Sequence, residues 1–418
     1  MPSEALLGKN IALSYLGIPA MMTLDPLYLY NNVLQRSFDG RPSALVRDNT
    51  VTEKVWTGYG KLTIDGVVGG KNLKGALGLQ VIHTEQSSDG QIAGLLNGNV
   101  TISPASDTVN YTNFLPSATM SLEVIDNGFV KLGASQTMVR PRLDQERITQ
   151  DVSVNPANIG ITPIDLNPVF SSNGGNVALR PYQSTNVDMS FEKYFGNSGG
   201  YVALAGYFKS LTDFVNPSTT TAYDFTSLLG TLTPAQQAQV IASGQNIGTL
   251  SRPDNSGKGN VMGLEATLSL PFRMVTTALD GFGAFVTGNY TYSSIKYANN
   301  PQTITLPGLS DWTGSGTIFF EKWGFQARAN YRYRSKFLAE VAGLSANPTY
   351  RTAKSEGILD AQIGYEFQSG FLKGFSILAQ GKNLTDRPFI TYQNNDPRQV
   401  IDYQRYGRDY YIGVGYKF

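Results

Sequence analysis

The sequence predicts an all-β protein, an antiparallel transmembrane β-barrel. Three observations carry that prediction. Apolar and polar residues alternate with period two in segments of about 10 residues, as strands with one lipid-facing and one water-facing side require. The connections between those segments are short and long by turns, as in barrels with tight turns on one rim and long loops on the other. The composition fits: only 16% of the 418 residues are charged, against roughly 25% in an average soluble protein, while Gly (44) and Tyr (23) are abundant. No run of about 18 apolar residues occurs, so no membrane-spanning helix is expected.

About thirteen strands are expected, starting near 54, 73, 112, 129, 184, 201, 260, 283, 311, 325, 357, 375 and 406. Near 114 the chain reads FLPSATMSLEV, with Phe114, Pro116, Ala118, Met120, Leu122 and Val124 on one face. In VMGLEATLSL, Met262, Leu264, Ala266, Leu268 and Leu270 oppose Glu265, Thr267 and Ser269. In FQARANYRYR, Phe325, Ala327, Ala329, Tyr331 and Tyr333 oppose Gln326, Arg328, Asn330, Arg332 and Arg334. In LDAQIGYEF, Leu359, Ala361, Ile363, Tyr365 and Phe367 oppose Asp360, Gln362, Gly364 and Glu366, and Asp360 and Glu366 are placed to pair with the arginines one strand away. The chain ends on GRDYYIGVGYKF, where Tyr410, Ile412, Val414, Tyr416 and Phe418 form one face, the pattern of a membrane-inserting last strand.

Short connections are expected at 65–72, 126–128, 196–200, 322–324 and 368–374, and a somewhat longer one at 271–281. Long loops are expected at 86–107, 140–180, 212–257, 296–309, 336–352 and 385–404. Within the third, TPAQQAQVIASG predicts a short helix with Thr233 as N-cap, Pro234 in its first turn and Gly244 at its C-terminal end.

Several functions are excluded by composition. A net charge of +1 gives no electrostatic case for nucleic acid. Cysteine is absent, and the single histidine, His83, rules out most His-based metal sites. GNSGG (196–200) has the look of a serine-protease motif but lies in a tight turn, and GVVGGKN (66–72) has the wrong spacing for a phosphate loop. No catalytic constellation, metal site or cofactor is expected, and the protein is read as a non-enzyme. The candidate substrate-binding residues are Arg328 and Arg332 on the barrel's inner face and Arg387, Phe389, Tyr392, Asn394, Asn395, Asp396 and Arg398 in the 385–404 loop, where aromatic rings beside amide and charged groups suit a sugar; Phe214, Tyr223 and Phe225 are candidates of the same kind.

The closing stretch GKNLTDRPFITYQNNDPRQVIDYQRYGRDYYIGVGYKF (381–418), with its NLTD (383–386), resembles the last two strands of TonB-dependent outer-membrane receptors. LPSATMSLEVIDNGFVKLGASQTMVRPRL (115–143) and the hairpin at 51–90 are similar to the proteobacterial subtype often linked to carbohydrate uptake. The resemblance implies a 22-stranded barrel filled by a plug domain, of which this chain supplies the last thirteen strands without the plug. Residues 1–50 are then a remnant of an extracellular loop and 51–418 a partial barrel. The implied partners are outer-membrane lipid, the barrel-assembly machinery, the TonB complex acting through the missing plug, and a small-molecule or oligosaccharide substrate. The rival expectation is a passive porin-like channel, which needs neither plug nor TonB.

Overall fold

The computed structural model describes residues 3–6, 11–13, 17–34, 40–96, 99–195, 199–297, 303–342 and 349–417. Thirteen long strands form its wall: β1 (Thr50–Val68), β2 (Lys71–Leu96), β3 (Asn99–Ile125), β4 (Gly128–Val139), β5 (Tyr182–Phe195), β6 (Gly200–Asp224), β7 (Ile247–Pro271), β8 (Phe282–Lys296), β9 (Trp312–Lys322), β10 (Phe325–Arg334), β11 (Glu356–Glu366), β12 (Phe375–Lys382) and β13 (Asp409–Tyr416). Each pairs antiparallel with the next in sequence order. Among the described residues β1 and β13 have one neighbour each along this wall.

The register aligns like with like across the sheet. One row runs Asp65, Lys74, Ser121, Lys131, Ser190, Ala205, Glu265, Asn289, Thr313, Arg334, Glu356. An apolar row runs Leu62, Leu77, Ala118, Ala134, Val187, Phe208, Met262, Tyr292. Because side chains alternate strictly along a strand, these rows belong to opposite faces of one wall. Among the described residues no protein layer covers the apolar face: Tyr331 is 48% exposed, Ile363 50% and Val414 70%.

Aromatic residues edge that apolar face. Trp56, Tyr290, Trp312, Tyr331, Tyr333 and Tyr410 sit toward the long-loop rim, and Phe282, Phe320, Phe325, Tyr365, Phe375 and Tyr416 toward the opposite rim. Neighbouring rings touch along each belt, as in Tyr290–Trp312 (4.7 Å between centroids) and Phe282–Phe320 (4.5 Å). From Phe325 to Tyr333 is about 26 Å along β10 at 3.3 Å per residue, before tilt. That matches an apolar band of about 25 Å between two interfacial girdles.

Tight turns close the short-loop rim. Gly69 and Gly70 (φ +59° and +80°) join β1 to β2, and Trp323 and Gly324 (φ +57° and +79°) join β9 to β10. Two successive positive φ values give the turn whose twist matches a hairpin. GVVGGKN is therefore turn chemistry. Of GNSGG, residues 196–198 lie outside the described residues, as does Phe418 of the terminal motif.

On the other rim one expected loop, and the ends of another, are strand instead. The 86–107 stretch is paired throughout its described residues, from Gln86 with Val109 up to Leu96 with Asn99. The ends of the 212–257 stretch pair as far as Asp224 with Ile247. These hairpins rise beyond the apolar band, and other loop segments cover their inner faces, where Ser88, Ala93 and Leu250 are buried, so no lipid-to-water alternation marks them. Two short strands, Gln150–Val154 and Phe170–Gly174, pair with each other. They also run parallel to β2 at Ile92–Leu95 and to β7 at Thr249–Ser251, bridging the two tall hairpins.

Buried apolar residues gather among the loops and also, as Leu211, Val261 and Ile295, on β6, β7 and β8. Val152, Val169, Phe170, Phe225, Leu229, Leu232 and Val240 form one cluster, with Phe170 and Phe225 stacked at 5.6 Å. Phe225 is thus a packing residue. The helix Pro234–Ser243 backs this cluster; it begins at Thr233 with a reciprocal capping box to Gln236 and ends at Gly244 (φ +72°). Pro42–Leu45 forms a short helix, and Leu45 and Val46 pack on Ala93 of β2.

Candidate functional site

The polar rows of β10 and β11 lead upward to a cavity of about 900 Å³ beneath the 383–409 segment. Its floor is Asn330, Arg332, Glu356 and Asp360; its sides are Lys382, Arg387, Phe389, Gln404, Tyr406 and Asp409. A second hollow of about 420 Å³ continues along the same face to Glu265 and Arg334, sharing Arg332 and Glu356. Three cations (Arg332, Lys382, Arg387) meet three carboxylates (Glu356, Asp360, Asp409) in the first, and Arg334 and Glu265 keep the combined site balanced at four and four.

The NLTD stretch positions this cavity. Asn383 and Asp386 both take positive φ (+50° and +49°) and reverse the chain as it leaves β12. The Asn383 amide donates to Asp360 Oδ1 (2.9 Å), its Nδ2 to Gly407 O (2.8 Å), and its Oδ1 accepts from the Arg387 amide (2.9 Å). Asp360 Oδ2 meanwhile accepts from Arg332 (2.8 Å). One carboxylate therefore fixes a wall arginine and the start of the loop together. Leu384 N donates to Leu359 O (2.8 Å), Thr385 Oγ1 to Gly357 O (3.0 Å), and Arg408 Nε to Leu384 O (3.0 Å). Arg405 closes on Asp386 and holds its carboxyl below the usual carboxylate range.

Next along the wall, Arg334 donates to Ser310 Oγ (2.8 Å) and to Gly308 O, with its guanidinium 3.7 Å over the Phe337 ring. This fastens the 303–311 stretch toward the inner face. Above it stands a four-stranded loop sheet of Phe337–Ala342, Thr349–Ala353, Phe389–Gln393 and Val400–Gln404.

The expected binding residues separate into three places. Arg332 lines the cavity. Arg328 lies two turns of the alternation nearer the short-loop rim, bonded to Glu321 (2.9 Å) rather than to Glu366, and flanking the Phe319 ring. Tyr392, at 4% exposure, packs within the loop sheet. Asn394 and Asn395 (φ +52° and +61°) form the turn at the loop tip, where the Asn394 amide donates to Tyr350 O (2.8 Å). Asp396 and Arg398 bond each other (2.8 Å) at that tip, and the guanidinium holds the Asp396 carboxyl low. Arg387 and Phe389, both expected from the 385–404 loop, line the cavity, whereas Lys382, Gln404 and Tyr406 lie outside the expected set. Parity along β10 and β11 marks Arg332 and Asp360 as inward, but only the turn at Asn383 brings the others over them. His83 sits on the outer face, its ring 5.7 Å from Trp56 and its Nδ1 2.9 Å from Thr112 Oγ1.

Comparison with known proteins agrees with this architecture. A family model described as the TonB dependent receptor-like β-barrel matches residues 9–384. No curated protein matches. Among solved structures, the chain is similar to a mutant ferric enterobactin receptor from Pseudomonas aeruginosa in complex with enterobactin, at 15% identity over 87% of this chain and 54% of that one, TM-score 0.51. It is also similar to a siderophore receptor from Acinetobacter baumannii (14% identity, 88% and 55% covered, TM-score 0.50) and to the ferric-catecholate import receptor of Escherichia coli K12 (12%, 88% and 45%, TM-score 0.54). The chain spans about half the length of these receptors. At such identities the likeness is one of fold. The family match rests on sequence over most of the chain, and that family is one of outer-membrane transport receptors rather than enzymes. A wall apolar outside, polar inside and belted by aromatic residues is what such a barrel needs, and with the match at 9–384 it places this chain in the TonB-dependent receptor β-barrel family.

Proposed function

We propose that this chain is the C-terminal part of the barrel of an outer-membrane receptor that imports a scarce, uncharged, polyhydroxylated nutrient of the carbohydrate class, with energy supplied by TonB through a plug. The observation that carries the reading is the charge-balanced polar cavity under the 383–409 segment. Alternating donors and acceptors with no net charge suit a solute with many hydroxyl groups, and Tyr406 and Phe389 offer ring faces for stacking against a sugar. Arg332, with Asp360 and Arg387, makes the floor contacts; Asn394, Asp396 and Arg398 at the exposed loop tip make first contact with the solute, and Tyr392 stiffens the loop sheet. The thirteen wall strands are the last of a 22-stranded barrel, in which further strands cover the outer edges of β1 and β13; the barrel-assembly machinery inserts it from the terminal strand, and outer-membrane lipid covers the apolar face. Residues 1–50 serve as part of an extracellular loop.

The test is uptake of a labelled oligosaccharide by cells carrying or lacking the gene, with and without TonB, and with ferric catecholate as competitor. The reading expects saturable uptake that needs both the gene and TonB and that ferric catecholate leaves unchanged. Uptake that persists without TonB would point to a passive channel. Uptake of the iron chelate in place of sugar would remove the carbohydrate assignment.

A further inference from the structure

We propose that Glu53 and Glu146 form a proton-binding latch that fastens the 144–181 segment across the mouth of the barrel. This segment lies on the inner face of β2. Gln86 Nε2 donates to Val177 O (2.7 Å) and Leu179 O (3.3 Å), and the Ile148 amide donates to Ser88 Oγ (2.9 Å). Its two short strands join the tall β2–β3 hairpin to the β6–β7 hairpin. Around the ring of wall strands, β2 and β7 are five spacings apart, about 24 Å; through the segment they are three spacings apart, about 14 Å. The segment is therefore a strut that draws the rim inward, and its release widens the mouth.

Beneath the strut is a closely packed polar pocket. Glu146 is 0% exposed, and among the described residues neither of its carboxylate oxygens has a hydrogen-bond partner. Glu53 Oε1 on β1, Thr84 Oγ1 on β2 and Thr149 Oγ1 on the segment are also buried without partners. From β3, Tyr111 donates to Gln86 Oε1 (3.1 Å), and Asn113 Oδ1 accepts from Gln183 (3.0 Å). Arg140, just beyond β4, is 3.5 Å from Glu53 Oε2. Arg147 packs its stem against Gly175, and its Nε is buried without a hydrogen-bond partner among the described residues. Of these charges, those of Glu53 and Arg140 act on Glu146.

With Arg140 beside Glu53, the Glu146 carboxylate is buried with no cation bonded to it among the described residues. A single proton neutralises it and turns Glu146 into an O–H donor. Burial, reinforced by the Glu53 charge, pushes the Glu146 carboxyl up to about 8 from its ordinary 4.5. The docked strut thus binds the proton more tightly than the released one. Docking is strongest below pH 4.5, weakens about tenfold per pH unit from 4.5 to 8, and is flat above 8.

The chain has no cysteine, so a single V177C thiol reports release of the buried face of the strut. A membrane-impermeant maleimide is applied to intact cells between pH 5 and 9, and each rate is divided by that of L166C, an exposed thiol on the same segment, to cancel thiol ionisation. The ratio should climb about tenfold per unit between pH 5 and 8 and then level off. With E146Q, neutral at every pH, it should stay low and flat. E53Q removes the like charge, so its climb should level off at a lower pH, and this holds even where E146Q fails to assemble. An undiminished slope in E146Q overturns the latch, as does loss of protection on chelating divalent cations at fixed pH, which assigns the pocket to a metal.

Discussion

At φ +50°, Asn383 adopts a left-handed conformation that costs most side chains about 1–2 kcal/mol, and its side chain and amide bond three separate partners there. The two kinds of contribution can be separated. N383G keeps the backbone and loses two side-chain bonds, so it should destabilise by about 2 kcal/mol; N383A adds backbone strain and should cost about 3. Thermal unfolding of protein extracted from outer membranes measures both, and equal losses would show that the side-chain bonds alone matter. Arg332 and Arg328 give a functional counterpart. They share one strand and one face, yet only Arg332 lines the cavity. R332A should raise the half-saturation of uptake by about tenfold or more, as expected for loss of a charged hydrogen bond, while R328A leaves it unchanged. A matching rise in R328A would place the solute deeper in the lumen than the 383–409 segment.

The strands themselves were readable because a face in lipid and a face in water impose period two on every segment that crosses. FQARANYRYR shows its faces without any neighbour, and so does LDAQIGYEF. Where that contrast stops, so does legibility. SSDGQIAG and TISPASDT are strand beyond the lipid band, the first with its inner face under other loop segments, and their turn-forming residues read as loop. Phe225 reads as an exposed loop aromatic, although it stacks on Phe170, more than fifty positions away. The cavity was legible at its floor and, on its sides, at Arg387 and Phe389, whereas Lys382, Gln404, Tyr406 and Asp409 join it only because the Asn383 turn folds the loop over β10 and β11. Parity also makes a prediction. I363R, on the apolar face, should lower the stability of the inserted barrel by about 2–4 kcal/mol, whereas Q362R, one residue away on the polar face, should change it little. Reversible unfolding from lipid vesicles distinguishes them, and equal costs would mean that Ile363 and Gln362 meet the same medium.

Over the whole molecule, the wall has two outer edges. Nineteen residues of β1 and eight of β13 each have one neighbouring strand along it among the described residues, and an unpaired backbone group in hydrocarbon costs several kcal/mol. The 418-residue chain refolded alone should therefore give no heat-modifiable monomer on gels; a stable one would show that β1 and β13 find each other and close a smaller ring. Beneath all of this is the assignment of lipid to one face and water to the other, which accounts for the exposed apolar rows, the two aromatic belts and the polar cavity together. Nitroxide labels placed singly at positions 358 to 365 of β11, in the receptor within a bilayer, test it most directly. Collisions with oxygen, which partitions into lipid, should peak at Leu359, Ala361, Ile363 and Tyr365, and collisions with a water-soluble nickel chelate at Ile358, Asp360, Gln362 and Gly364. Two profiles in phase, or oxygen peaking at Asp360 and Gln362, would contradict the account.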